Sequence, residues 1–219
     1  RTSDLLLNVP VPTLTGYSTA LQNIGAILNK GLEFTVTSRN TVGAFKWTTD
    51  FNISTNNISV QALGPDGSPI ISRQVTSASS PTHITQIGSE PGSYYGYQVV
   101  GIYQNQQDLD SSPVVLNGNG TVQSKPGQLK FADINGDGVI TTADRTVLGS
   151  PFPDYTFGMT NSFNYKNFDF AFTLQGVQGF EVLNLARRYY GNYSGTYNVL
   201  RSTADGWMSE TDRGDGVSP

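Results

Sequence analysis

Two stretches of this chain alternate apolar and polar side chains with a period of two, and that pattern limits the fold more than any other feature. In Leu32-Glu33-Phe34-Thr35-Val36-Thr37-Ser38-Arg39, Leu32, Phe34 and Val36 share one face. After Asn40 to Ala44, read as a short turn, Phe45, Trp47, Thr49, Phe51 and Ile53 alternate with Lys46, Thr48, Asp50, Asn52 and Ser54. The same design returns later. Tyr155, Phe157, Met159, Asn161, Phe163 and Tyr165 alternate with small polar residues up to a tight Lys166-Asn167 turn, and Phe168, Phe170, Phe172 and Leu174 follow. A period of two places successive side chains on opposite faces of a β-strand, so each stretch reads as a hairpin with one aromatic face and one polar face.

Two environments accept such a sheet. A soluble antiparallel sheet keeps one wet face. A transmembrane barrel has lipid outside and water inside, with strands of about ten residues and aromatic girdles at both interfaces. Phe45, Trp47, Tyr155, Tyr165 and Phe168 lie near strand ends and suit a girdle. On the pattern alone the two stand level.

Composition narrows the function. The 219 residues are long enough for a sizeable core, yet charged residues make up only 14%, against roughly 25% in average proteins. There is no cysteine and one histidine, His83, so disulfides, thiolate metal sites and a Ser-His-Asp triad are poorly supplied. A net charge of -4 without a basic cluster argues against nucleic acid. No apolar run is long enough for a transmembrane helix. No secretory leader is visible, and the start at Arg1 and the loop-like last residues read as cuts in a longer protein.

Between the hairpins, Thr55 to Pro153 is too long to lack structure of its own. Gly64-Pro65-Asp66-Gly67 signals a turn, Ser77 to Thr82 is rich in serine and threonine, and Tyr94 to Tyr103 reads as one strand. Near its end, Asp133 to Asp144 has the spacing of a twelve-residue calcium loop. Oxygen ligands fall at positions 1, 3 and 5 (Asp133, Asn135, Asp137), and Gly138 marks the sharp turn at position 6. Val139 would bind through its carbonyl, Thr141 directly or through water, and Asp144 would close the loop at position 12 in place of the longer glutamate. The bland reading is a metal-free turn, since Asp and Asn bond their own backbone in Asx-turns. Thr142 to Leu148 and Glu181 to Arg188 are expected as short helices.

Asp108 and Asp110 offer a carboxylate pair, for which a solvated loop is the simpler reading, and Arg187 and Arg188 read as surface charges. No convergent set of acid, base and nucleophile exists, so the chain is not read as an enzyme. Tyr94, Tyr95, Tyr103, Tyr189, Tyr190 and Tyr193 have the chemistry to stack on sugar rings, or to pack loops.

Several segments in order resemble one family. They are Thr2 to Pro10, Asn23-Ile24-Gly25, Asn29 to Glu33, Phe45-Lys46-Trp47, Phe51 to Ser54, Tyr95-Gly96-Tyr97, Gly101 to Gln104, Gly127 to Phe131 running into the acidic loop, Asp144 to Gly149, Pro153 to Gly158 and Ser162 to Asp169. Together they look like the C-terminal part of a SusC/RagA-type TonB-dependent outer-membrane transporter. The resemblance implies an all-β fold, part of a large antiparallel transmembrane β-barrel with long extracellular loops. Residues 1–219 would be a barrel segment incomplete at both ends, with 133–144 a calcium loop inside an extracellular insertion. It implies import of oligosaccharide or peptide, a SusD-like surface lipoprotein, and TonB acting through an N-terminal part outside this chain. Short turns face the periplasm in such barrels, so residues 1–30, about 55–153 and 177 onward would face outward. The rival expectation is a secreted, soluble β-rich module stabilised by calcium; a dockerin-like protein would carry two such loops, and this chain has one.

Overall fold

The computed structural model describes residues 2–10, 19–64, 66–72, 81–116, 124–191 and 198–216. Its strands are β1 (Thr2–Pro10), β2 (Thr19–Val42), β3 (Phe45–Ala62), β4 (Ile70–Ser72), β5 (His83–Thr85), β6 (Ser93–Tyr97), β7 (Val99–Ile102), β8 (Val114–Val115), β9 (Leu129–Phe131), β10 (Val139–Ile140), β11 (Arg145–Gly149), β12 (Tyr155–Tyr165) and β13 (Phe168–Gln178). Among the described residues, helix is confined to α1 (Gln106–Asp110), α2 (Arg187–Tyr190) and short 3-10 helices. The chain divides into two compact units, one of residues 1–94 and 149–182, the other of 95–148 and 183–219.

The first unit is built on a five-stranded sheet in the order β1-β2-β3-β12-β13, antiparallel throughout. Both expected hairpins are present. The β2–β3 connection is shorter than expected, only Gly43-Ala44, because pairing resumes at Thr41 after a bulge at Asn40. Lys166 takes a φ of 51°, as the tight β12–β13 turn requires.

Register aligns the apolar residues in rows. Phe45, Tyr165 and Phe168 stand side by side, as do Trp47, Phe163 and Phe170, and Phe51, Met159 and Leu174. Phe163 is the centre of an aromatic cluster, with ring centroids 5.8 Å from Trp47, 6.1 Å from Phe170 and 6.2 Å from Phe172. Phe157 lies over Gly176, where any Cβ would collide with its ring. Among the described residues nothing covers most of this face: Leu32 is 78% exposed and Phe168 79%. The opposite face is a lattice of small polar groups. Thr37 donates to Asp50 (2.6 Å), the Thr160 and Thr173 hydroxyls meet at 2.9 Å, and Asn164 donates to Asp169 (2.6 Å).

The sheet extends beyond the two expected hairpins. Residues 1–30 are expected only as an outward-facing segment, and β1 within them pairs with β2 from Thr2↔Ile27 to Pro10↔Thr19. Gly31 lets β2 lie close against β3, since a Cβ there would strike the Thr55 carbonyl of that strand. In the same unit, β4 pairs with β5, and Val60, Leu63 and Ile84 are buried. Gly64 and Gly67 have positive φ, as the expected turn needs; Pro65 and residues 77–80 of the serine-rich stretch lie outside the described residues.

Three expectations for the shorter elements are corrected. Tyr94 to Tyr103 is not one strand: it breaks at Gln98, and β7 pairs with β9 through a register shift at Gly101. The helix expected over Thr142 to Leu148 is a single 3-10 turn, Thr142–Asp144, followed by strand β11. Arg145 is already extended (φ -75°, ψ 137°), and the β-branched Thr146 and Val147 favour that state. The helix expected over Glu181 to Arg188 forms only at Arg187–Tyr190. Glu181 instead exchanges backbone bonding with the chain before β12, donating to Ser150 O (2.8 Å) while its carboxylate accepts from Ser150 N (2.7 Å).

Candidate metal loop

Strand β9 delivers the chain into the acidic loop, and Ala132 N closes its entry by donating to Gln98 O (2.9 Å). Gly136 and Gly138 adopt φ of 74° and 82°, which let the backbone curl around its own side chains. Asp133 accepts from Gly136 N on one oxygen and Gly138 N on the other, both at 2.7 Å. Asn135 accepts from Asp137 N (2.9 Å), and Asp137 from Val139 N (2.8 Å) and from the Asn135 side-chain amide (2.9 Å). These are the side-chain-to-backbone bonds of successive Asx-turns.

The exit is anchored separately. Val139 and Ile140 form β10 alongside β8 in parallel, Gly138 O accepts from Val114 N (2.9 Å), and Ile140 is buried. Thr141 then caps the 3-10 turn, accepting from Ala143 N while Asp144 accepts from Thr141 N (2.7 Å). The other Asp144 oxygen accepts from Ile134 N (3.0 Å) and Asn135 N (3.5 Å). One buried carboxylate therefore ties position 12 to positions 2, 3 and 9 of the loop. These backbone donors, Thr141 first, hold the Asp144 carboxyl below the usual carboxylate range, against the effect of burial. Beneath the loop, Phe131 packs on Tyr97 (5.4 Å), and the Arg145 guanidinium lies 5.0 Å from the Tyr97 ring centre.

The six sequence-assigned ligands thus stand on one curled loop and offer only hard oxygens, the donor type that calcium takes. Among the described residues no three carboxylate or imidazole groups gather into one metal-sized cluster. The loop closes through its own hydrogen bonds, and an ion there would use the lone pairs those bonds leave free.

The other candidates resolve differently. Tyr103 is fully buried and unavailable for stacking on a sugar; nothing in the local sequence pattern marks it as core. Tyr94 packs on His83 (5.3 Å), Tyr190 accepts from Asn184 (2.9 Å), and Tyr189 is exposed; Tyr193 lies outside the described residues. Asp108 is structural: it pairs with Lys130 (2.8 Å) and accepts from Gln104 N (3.1 Å), and the Lys130 bond heads the contacts that lower its pKa. Asp110 accepts from Gln106 (2.7 Å) one turn away on α1. Arg187 opens the short α2 and is exposed; Arg188 also lies on α2.

Comparison with known proteins decides the family. Two TonB-dependent receptors of Formosa agariphila are 38% and 34% identical, over 94% and 98% of this chain. The TonB-dependent receptor SusC of Bacteroides thetaiotaomicron is 31% identical over 92% of it. The chain belongs to the SusC/RagA family of TonB-dependent receptors. No protein-family model matches it. Its fold is similar to part of the RagAB peptide transporter, with a TM-score of 0.73 at 17% identity over 99% of this chain and 22% of that one. The same transporter in its closed-closed state gives 0.66. The five-stranded sheet is therefore a stretch of antiparallel β-barrel wall. The chain spans about a fifth of the length of the curated SusC/RagA relatives it matches.

Proposed function

We propose that this chain is a wall segment and loop cluster of an outer-membrane receptor that imports oligosaccharide or peptide by TonB-dependent transport. The observation that carries the reading is the bare aromatic face of the five-stranded sheet. From Phe45 to Thr55 a strand tilted by about 40° climbs ~25 Å at ~3.3 Å per residue, the height of a barrel's apolar band. Phe168, Phe170 and Leu174 on that face are half-exposed or more, which lipid accommodates and water does not. The polar face then lines the lumen, and the long insertions lie on the extracellular side. A SusD-like surface lipoprotein covers those insertions, and TonB acts on parts of the receptor outside this chain.

In this reading the acidic loop is a structural calcium clip and not a sensor. Asp133, Asn135, Asp137, the Val139 carbonyl, Thr141 and Asp144 would hold the ion, which would cross-link a loop already shaped for oxygen ligation. Support comes from the ligand spacing, the oxygen-only donor set and the two glycine turns. Calcium is plentiful outside the cell, so a weak site stays filled.

The rival, a secreted soluble module, makes the opposite demand on solubility. Expressed alone without detergent, residues 1–219 are expected to aggregate, because the open edges of β1 and β13 and the aromatic face have no partner. Sedimentation of a monodisperse, folded monomer with a structured near-UV circular dichroism spectrum would favour the soluble module.

A further inference from the structure

Strand pairings in the barrel wall get their register from different sources. In β2–β3 and β12–β13, two-residue connections set it. The β3–β12 junction has no such turn, since everything from Leu63 to Asp154 lies between the two strands. A slip of one residue there would exchange the apolar and polar faces, which patterning forbids. A slip of two residues would keep every face correct. Thr and Ser recur along the polar faces of both strands, so their mutual bonds can re-form after such a slip. Something else must distinguish the observed register.

The apolar face carries one row that is not apolar. Ser38, Thr49 and Asn161 align across β2, β3 and β12. Ser38 donates to Asn40 Oδ1 (2.8 Å), the Asn40 amide donates to Thr49 Oγ1 (2.8 Å), and Thr49 donates to Asn161 Oδ1 (2.7 Å). Trp47 Nε1 donates to the same oxygen (3.0 Å). Asn161 is only 5% exposed, and the Trp47 that bonds it stacks on Phe163. A two-residue slip in either direction would set Thr49 against Met159 or Phe163, and Asn161 against Trp47 or Phe51. The chain of bonds across the junction would be broken where no water can replace it.

We infer that Asn161, bonded by Thr49 and Trp47, is the register key of the β3–β12 junction. It selects one of several face-compatible pairings of strands that a long insertion leaves without a guiding turn. The polar face supplies a second, steric mark: Asn52 lies over Gly158, where a Cβ would come 3.1 Å from its amide nitrogen. The inference rests on the membrane reading, since only a lipid-facing surface denies the released groups a water partner.

The chain holds no cysteine, so cross-linking reads register cleanly. In the full-length receptor, with any other cysteine replaced, Thr48→Cys with Ser162→Cys reports the observed pairing. Thr48→Cys with Thr160→Cys or with Asn164→Cys reports the two slips, because opposed residues alone come within disulfide reach. The parent is expected to link only the first pair. Two variants remove the key from opposite sides: Thr49→Val with Asn161→Leu replaces both partners by apolar groups and should still insert, and Trp47→Phe with Thr49→Val removes only the donors. Both are expected to raise a slipped cross-link at least tenfold over the parent and to lower the observed one. Native-only linking at undiminished yield in both variants would overturn the key, and so would loss of all three links, which would mark a general folding defect. Membrane fractionation of the parent is read separately: a parent found in the soluble fraction would count against the membrane reading, whatever its register.

Discussion

Asp144→Ala is expected to unfold the acidic loop with calcium present or absent, whereas Asp137→Ala should abolish calcium binding and leave the metal-free loop folded. The difference follows from what each carboxylate holds. Asp137 accepts one backbone N–H, from Val139, at the exposed rim. Asp144 is buried and accepts from Ile134, Asn135 and Thr141, joining the two ends of the loop. Removing it strands three inward-facing donors at once, the situation that makes a lost partner dearer than a lost bond. Amide exchange is the direct readout. Protection at Ile134 and Thr141 should fall to the level of an open loop in Asp144→Ala and persist in Asp137→Ala, while titration calorimetry of Asp137→Ala shows no calcium isotherm. Acid acts in the same sense. Because the Asp144 carboxyl is lowered in the folded protein, its stabilisation is present above the ordinary carboxylate pKa and is lost as pH falls through the depressed value. Equal protection in the two variants would refute the anchoring role, and an unchanged isotherm in Asp137→Ala would refute the calcium site.

Gly127→Val should destabilise the second unit by roughly 3 kcal/mol, the combined scale of left-handed backbone strain and overpacking. Gly127 has a φ of 86°, and the Trp207 ring lies directly on its Cα: an added Cβ would sit 2.7 Å from Cζ3 and collide with Cε3. Gly127 N also donates to Tyr103 O (2.7 Å), so the backbone cannot move away without unseating the fully buried Tyr103. The two causes separate in a Trp207→Ala background. There the collision is gone, and the same substitution should cost only about 1 kcal/mol of backbone strain. Denaturation monitored by exchange at residues 128–131 measures both. An equal cost in the two backgrounds would mean that the tryptophan does not pack as described.

The hairpins were legible in the sequence because a two-residue period and a short turn together determine face and register. Phe45 to Ile53 and Tyr155 to Leu174 needed no further information. β1 was not legible: Leu5-Leu6-Leu7 is an apolar run without alternation, and its partner begins beyond residues 11–18. The Gln98 break hides inside an apparently continuous aromatic segment, where Gly101 absorbs a register shift that no pattern announces. After the acidic loop, Thr142 to Asp144 has a sound helix start but no helix, because the Thr141–Asp144 capping box closes on one turn and the β-branched residues beyond it extend. Loop spacing identified the sharp turn at Gly138, yet gave no sign of the turn at Gly136 or that Asp144 would accept from three amides at the base. Burial of Tyr103 was invisible for a related reason: an aromatic residue in an irregular segment carries no periodic mark of the side it faces. Lipid and water as solvents for the aromatic face were level on pattern, and the ordered family segments tipped the choice.

That choice of solvent is the central claim, and fluorescence quenching in lipid vesicles tests it most directly. Single cysteines at Phe170 and Leu174 on the bare face, and at Ala171 and Thr173 on the polar face, would carry an environment-sensitive label in the full-length receptor. Brominated lipid is expected to quench labels at 170 and 174 and to spare those at 171 and 173, with an aqueous quencher giving the reverse. Equal access of the aqueous quencher to all four positions would contradict the barrel-wall assignment.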